Sequence, residues 1–168
     1  MNYCWNRWHL VGAYGAFGSV SKERYEVVLE GTTEDFPQED TKWLEYGFKG
    51  KPVELDRTPP VVAPYHLRLD WMIWFLPFTV VVNDDGIYVR GHSLWFIRFL
   101  QKLLVNDPQL LKLLRKNPFA RQAPKWVRAQ FYHYQFTEKG EPGVWKRKLL
   151  GVFCPPVSTM MLKEILQE

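Results

Sequence analysis

The run from Trp126 to Phe136, WVRAQFYHYQF, limits what this chain can fold into more than any other feature. Large aromatic side chains fall on both of its alternating faces, and each such ring buries about 150–250 Å². A strand of that kind needs cover above and below, so the pattern predicts a central strand of a sheet. The rest of the chain shares this composition, with eight Trp, eight Tyr and eleven Phe among 168 residues. Aromatics favour strands, and Trp and Tyr also dominate interface hot spots, so the load serves a β-rich core, a partner surface, or both.

Other segments supply partners for that strand. In Arg24–Glu30, Tyr25, Val27 and Leu29 alternate with Arg24, Glu26 and Glu30, the pattern of a half-buried strand. An acidic loop, TTEDFPQED, leads to a second strand in which Leu44, Tyr46 and Phe48 alternate with Glu45 and Lys49. That strand stops at the turn Gly50-Lys51-Pro52. Residues 51–64 hold four prolines and read as an extended connector. From Asp70, taken as an N-cap, a short helix through Trp71, Trp74 and Phe75 competes with a strand. Trp95, Phe96, Phe99, Leu100, Leu103 and Leu104 share one helical face. Asp107-Pro108 caps and opens a second helix through Leu114, ended by Asn117-Pro118. The two form a helical hairpin at about 93–116. After the central strand, a Gly-rich turn at 138–143 leads into a strand from Trp145 to Phe153, which Pro155-Pro156 closes. Met161, Leu162, Ile165 and Leu166 suit an amphipathic tail helix. Strands, a helical insert and strands again predict an α+β fold: an antiparallel, sandwich-like sheet with an inserted helical hairpin, all in one domain over residues 1–168.

The charge is uneven. Residues 1–84 carry 8 basic and 12 acidic side chains, net −4, while residues 85–168 carry 14 and 6, net +8. Lys112, Arg115, Lys116, Arg121, Lys125 and Arg128 lie among Phe119 and Trp126, yet no nucleic-acid module signature accompanies them, and a solvated helix face accounts for the charge. The two cysteines, Cys4 and Cys154, exclude a dense disulfide scaffold and a four-cysteine zinc site, and leave one bridge open. No signal peptide is visible at the start. The most apolar run, Leu69 to Val82, is short of the about 20 residues that a spanning helix needs. Read alone, the polypeptide is expected to be soluble.

Catalytic signatures are missing. Gly12, Gly15 and Gly18 are spaced three and three, unlike a dinucleotide fingerprint, and small residues allowing close backbone approach explain them better. His9, His66, His92 and His133 show no H-x-x-x-H spacing. There is no serine elbow, and His66 with Asp70 reads as a structural hydrogen bond. The expectation is no catalysis, no cofactor and no metal.

Several blocks, taken together, resemble the C-terminal region of lipase maturation factors: NRWHLVGAYGAFGSVSKERYEVVLEGT, WLEYGFKGKP, PPVVAPYHLRLDWMIWF, LLKLLRKNPF, WVRAQFYHYQF and WKRKLLGVFCPPVS. They occur in that family's order and cover the chain except roughly Leu76 to His92. Gly12 and Gly47 depart from the family pattern. The resemblance implies a region that follows a multi-span membrane portion in the endoplasmic reticulum, on the lumenal side. It implies a non-catalytic folding and assembly role toward immature secreted lipases that work as dimers. Since the spans are not in this sequence, the chain is expected to be a fragment rather than a stand-alone relative. Matching positions are Tyr14, Gly15, Phe17, Gly18, Glu26, Glu30, Gly31, Arg68, Asp70, Trp71, Trp74, Asn117, Pro118, Phe119, Pro155 and Pro156. The implied roles are structural or in binding: glycines in turns, Arg68 and Asp70 as an ion pair, aromatics in packing. Two rival readings remain. One is a β-rich domain binding glycan or lipid through exposed aromatics; the other is a hydrolase, which requires His66, Asp70 and a serine in one buried constellation.

Overall fold

The computed structural model describes residues 23–61 and 67–167, together with the backbone of residues 2–4 and 12–14. Strands β1 (Asn2–Cys4) and β2 (Gly12–Tyr14) pair antiparallel. The main sheet has four antiparallel strands in the order β4-β3-β7-β8, formed by β3 (Arg24–Thr32), β4 (Leu44–Glu45), β7 (Trp126–Phe136) and β8 (Trp145–Ser158). Between them the chain makes helix α1 (Arg68–Trp74), a 3-10 turn (Leu76–Thr79) and the hairpin β5 (Val80–Asn83) and β6 (Gly86–Val89). Helices α2 (Leu94–Leu104) and α3 (Pro108–Leu111) follow, and helix α4 (Thr159–Gln167) follows β8. The fold is α+β with antiparallel pairing, as the order of patterns predicts.

The aromatic strand is central: β7 lies between β3 and β8. Its Phe131 opposes Val27 and stacks on Tyr25 at 5.5 Å. Val127, Ala129 and Phe131 are buried with Val27 and Leu29, and residues opposite one another in an antiparallel pair share a face. Helix α2 supplies Phe96, Phe99, Leu100, Leu103 and Leu104 to the same core cluster, and α4 adds Leu162. That spacing is the apolar face that made α2 legible.

Several expectations are corrected. Strand β3 is buried on both faces: Val27 and Leu29 join the core on one, and on the other Glu26 and Glu30 are buried because Arg24, Lys51 and Arg128 close that face off. The second strand is shorter than its alternation predicts: after Glu45, the Gly47 N–H donates to the Lys116 carbonyl at 3.0 Å, diverting the chain from β3. That same bridge shortens the second helix of the hairpin to one turn. Its start is as read: Pro108 opens it and the Asp107 carboxylate accepts the N–H groups of Gln109 and Leu110, both at 2.9 Å. Asp70 is no N-cap. Helix α1 starts at Arg68, and Leu67 holds the cap position.

Pro155-Pro156 does not end its strand. Cys154 opposes Ala129 and Val157 opposes Val127, so the prolines occupy an irregularity in the ladder. On the outermost strand a proline whose N–H position faces solvent costs no ladder bond, and within the irregularity no regular ladder bond is required of either. Three register shifts, Lys146, Lys148 and the prolines break up this edge, the usual protection against edge-to-edge pairing. Cys154 is a free, buried thiol, and burial pushes its pKa up to about 11.

The connector after Pro52 is anchored. The Leu55 carbonyl accepts the N–H groups of Val144 and Trp145, both at 2.9 Å, and the Trp145 indole N–H donates to the Arg57 carbonyl at 3.1 Å. Gly31 fits beneath Phe119, where a Cβ would stand 2.7 Å from ring atom Cε2. Gly31→Ala is therefore expected to lower stability by about 1–3 kcal/mol, through displacement of a buried ring. Urea denaturation followed by circular dichroism measures it, and an unchanged midpoint would refute the wedge.

Candidate functional site

The acidic face of β3 begins the site. The Glu26 side chain is buried and takes two cations: Lys51 Nζ at 2.6 Å and the Arg24 guanidinium, with Nε donating at 2.9 Å. Lys51 is 4 % exposed, lies 5.9 Å from the Phe48 ring centroid, and meets Glu26 in ion contact outside hydrogen-bond geometry. Burial lowers the Lys51 pKa; the Glu26 charge opposes that shift. One residue earlier, the Gly50 N–H donates to Asp70 Oδ1 at 2.5 Å. Asp70 comes from α1, so two carboxylates tie the 50–51 turn to the sheet on one side and to the helix on the other.

Above this pair of ties, α1 turns its aromatic side outward. Asp70 and Ile73 face the interior, while Trp71 and Phe75 lie about one turn apart on the outer stripe. The rings form a ladder: Trp71 stacks on Trp74 at 5.1 Å, Trp74 meets Phe75 edge-on at 5.4 Å, and Trp74 meets Phe78 edge-on at 5.3 Å. Trp71 and Phe75 are 38 % and 39 % exposed and Phe78 is 62 % exposed. At the foot of the ladder Arg24, Gly50, Lys51, Leu67, Asp70, Trp71 and Trp74 line a cleft of ≈ 250 Å³. Arg24 also borders a second depression, of ≈ 340 Å³, where Phe136 stacks on Trp145 at 4.1 Å.

The sequence-matched residues thus separate into groups. Asp70, Trp71 and Trp74 line the cleft, and Glu26 lies behind it, paired with the lining residues Arg24 and Lys51. Arg68 is exposed on α1 and does not pair with Asp70. Two residues apart on a helix sets them about 200° from each other, and Asp70 faces Gly50. Glu30 pairs instead with Arg128 at 2.7 Å, whose guanidinium lies 4.1 Å from the Trp43 ring centroid. Gly31 and Phe119 form the wedge above. Asn117 fixes the approach to Phe119, its Oδ1 accepting the Phe119 N–H at 3.0 Å across Pro118, and Asn106 Nδ2 donates to the Phe119 carbonyl at 2.7 Å. Pro155 and Pro156 lie in the outer strand, away from the cleft lining. Tyr14 contributes backbone to β2, while Gly15, Phe17, Gly18 and His66 lie outside the described residues.

Sequence reading missed Arg24, Lys51 and Phe78 as parts of the site. Phe78 was legible from Trp71, Trp74 and Phe75 by continuing the spacing of three to four. Lys51, in a turn beside Pro52, carries no signal of burial. Among the described residues no cluster of His, Cys, Asp or Glu has the geometry for a metal ion, and no helix is long and apolar enough to cross a membrane. The Lys51 amine is committed to Glu26, and the cleft presents rings and a guanidinium, an arrangement suited to binding.

This chain, an antiparallel α+β module with a charge-tied aromatic helix, matches a described domain class: the family model of the lipase maturation factor C-terminal domain covers residues 10–155. It is 41 % identical over 170 residues to lipase maturation factor 1 of Homo sapiens, covering 97 % of this chain and 28 % of that protein. To lipase maturation factor 2 of Homo sapiens it is 36 % identical over 156 residues, 89 % of this chain and 20 % of the relative. The Gallus gallus lipase maturation factor 2 is 34 % identical over 163 residues, 90 % and 21 % of the two chains. The chain belongs to the lipase maturation factor family, and it spans under a third of the length of these relatives. No solved structure matches it.

The buried pair can be tested through its energetics. Lys51→Met leaves Glu26 with Arg24 alone and is expected to cost about 3 kcal/mol, whereas adding Glu26→Leu restores most of it. Because burial holds the Lys51 pKa below its ordinary 10.5, the unfolded chain binds more protons between the folded and unfolded values. Stability carried by Lys51 therefore rises with pH across that window, and is least favourable below the folded pKa. Urea titrations of wild type and Lys51→Met are expected to diverge as pH approaches 10.5; a gap independent of pH would contradict a buried charged amine.

Proposed function

We propose that this chain is a non-catalytic folding and assembly module that assists the maturation of secreted dimeric lipases. In this reading it works on the lumenal side of the endoplasmic reticulum membrane, carried there by the membrane-spanning part of a longer protein. The family membership supplies the class of client. The observation that carries the reading is the ladder of Trp71, Trp74, Phe75 and Phe78, partly exposed along a helix, held in place by buried charges, and the 3-10 turn that follows it. Trp side chains on a firm support are what protein interfaces use as anchors, and a preorganised patch loses little on binding. The partner is an immature lipase, whose apolar surfaces are not yet covered by its own fold or its second subunit. The edge-on ring contacts fit the sugar-stacking alternative less well, since a sugar needs a flat open ring face.

The module, tagged and tethered to a membrane anchor, is expected to co-purify with immature lipase and to raise secreted lipase activity. Deleting the domain from a full-length relative is expected to abolish that activity, and Phe75→Ser with Phe78→Ser to reduce it several-fold at equal lipase synthesis. Secretion unchanged by the deletion would refute the role.

A further inference from the structure

The ladder ends in a cleft rather than a flat patch, and the charges around that cleft are sorted by depth. Its two carboxylates are sequestered: Glu26 is 1 % and Asp70 is 7 % exposed, one held by Lys51 and Arg24 and the other by the Gly50 N–H. Lys51 is buried with them, while the two arginines reach solvent. The Arg24 side chain is 39 % exposed at the cleft wall, and Arg68 is exposed on α1, one turn before Trp71 and two before Phe75. What meets water around the cleft is thus aromatic and positive. At ≈ 250 Å³ the cleft is smaller than the about 300–1,000 Å³ of small-molecule sites and suits one or two apolar side chains.

From these observations we infer that the cleft is a peptide-docking site, taking a large apolar side chain from an unfolded or extended client segment whose neighbouring residues are acidic. The apolar anchor enters between Leu67, Trp71 and Trp74, and the flanking carboxylates meet Arg24 and Arg68. Desolvation of the anchor supplies affinity, and the exposed arginines select the sign of the flanking charge. A lipid headgroup surface offers the same negative charge, but the concave floor favours an inserted side chain over a planar contact. The inference rests on the client role proposed above and specifies what part of a client the ladder recognises.

The test uses the full 168-residue chain and two fluorescein-labelled peptides, one with a central Phe-Leu flanked by glutamates and one with lysines in their place, followed by fluorescence anisotropy. The acidic peptide is expected to bind and the basic one to bind about tenfold or more weakly, with the difference shrinking as salt rises. Trp71→Ser is expected to weaken the acidic peptide about tenfold. Arg68→Glu, an exposed change that leaves the core untouched, is expected to reverse the preference between the two peptides. Equal binding of both peptides, or an unaltered preference in Arg68→Glu, would overturn the site. So would binding to phosphatidylcholine–phosphatidylserine vesicles that depends on Trp71 and Arg68 while neither peptide binds. The lipase secretion assay is separate: a domain needed for secretion whose cleft ignores these peptides keeps the maturation role and loses this recognition mode.

Discussion

The contact between Lys51 and Glu26 holds the aromatic face of this module together. Taking both charges out of water is costly; Lys51 is tolerated because Glu26 is there, and Glu26 has Arg24 as a second partner. Once fixed, Lys51 brings the 50–51 turn onto β3, and the neighbouring Gly50 N–H gives Asp70 a partner. Asp70 in turn sets the rotation of α1, which decides that Trp71 and Phe75 point away from the core. A hydrophobic contact alone would not choose that rotation, because every position of α1 other than Arg68 and Asp70 is apolar. The polar tie supplies the orientation, and packing of Ile73 supplies the hold.

The strength of the periodic signal decides how much of this was readable from the residues. Strand β7 and helix α2 were legible because their apolar residues recur at one period over many positions, and tertiary context had no reason to override it. Asp107-Pro108 was legible because capping is local chemistry. The acidic face of β3 was misread, since alternation with Glu and Arg means a wet face unless distant cations arrive, and Lys51 and Arg128 are distant in sequence. The hairpin of β5 and β6 lies outside the blocks that resemble the family; its Asn83-Asp84-Asp85-Gly86 turn between apolar runs is the local signal for it.

For the site, the matching blocks pointed to Glu26, Asp70, Trp71 and Trp74, and the structure gathers these four. Pairing was less accessible. Arg68 and Asp70 are close in sequence and opposite in charge, yet helical geometry sends them to different sides. Glu30 and Gly31 proved to belong to another neighbourhood, around Arg128, Trp43 and Phe119. Short-range rules name residues well and assign their partners poorly, because partners are chosen by the sheet register and by turns such as the one at Gly47 and Lys116.

The irregular outer border of β8 has a consequence of its own. A protein that keeps several rings in contact with solvent is at constant risk of sticking to itself. With its last strand kinked, lysine-studded and carrying two prolines, this one denies neighbouring copies the backbone template from which fibres grow. Along that border, exposed rings are not joined by a straight strand ready to pair.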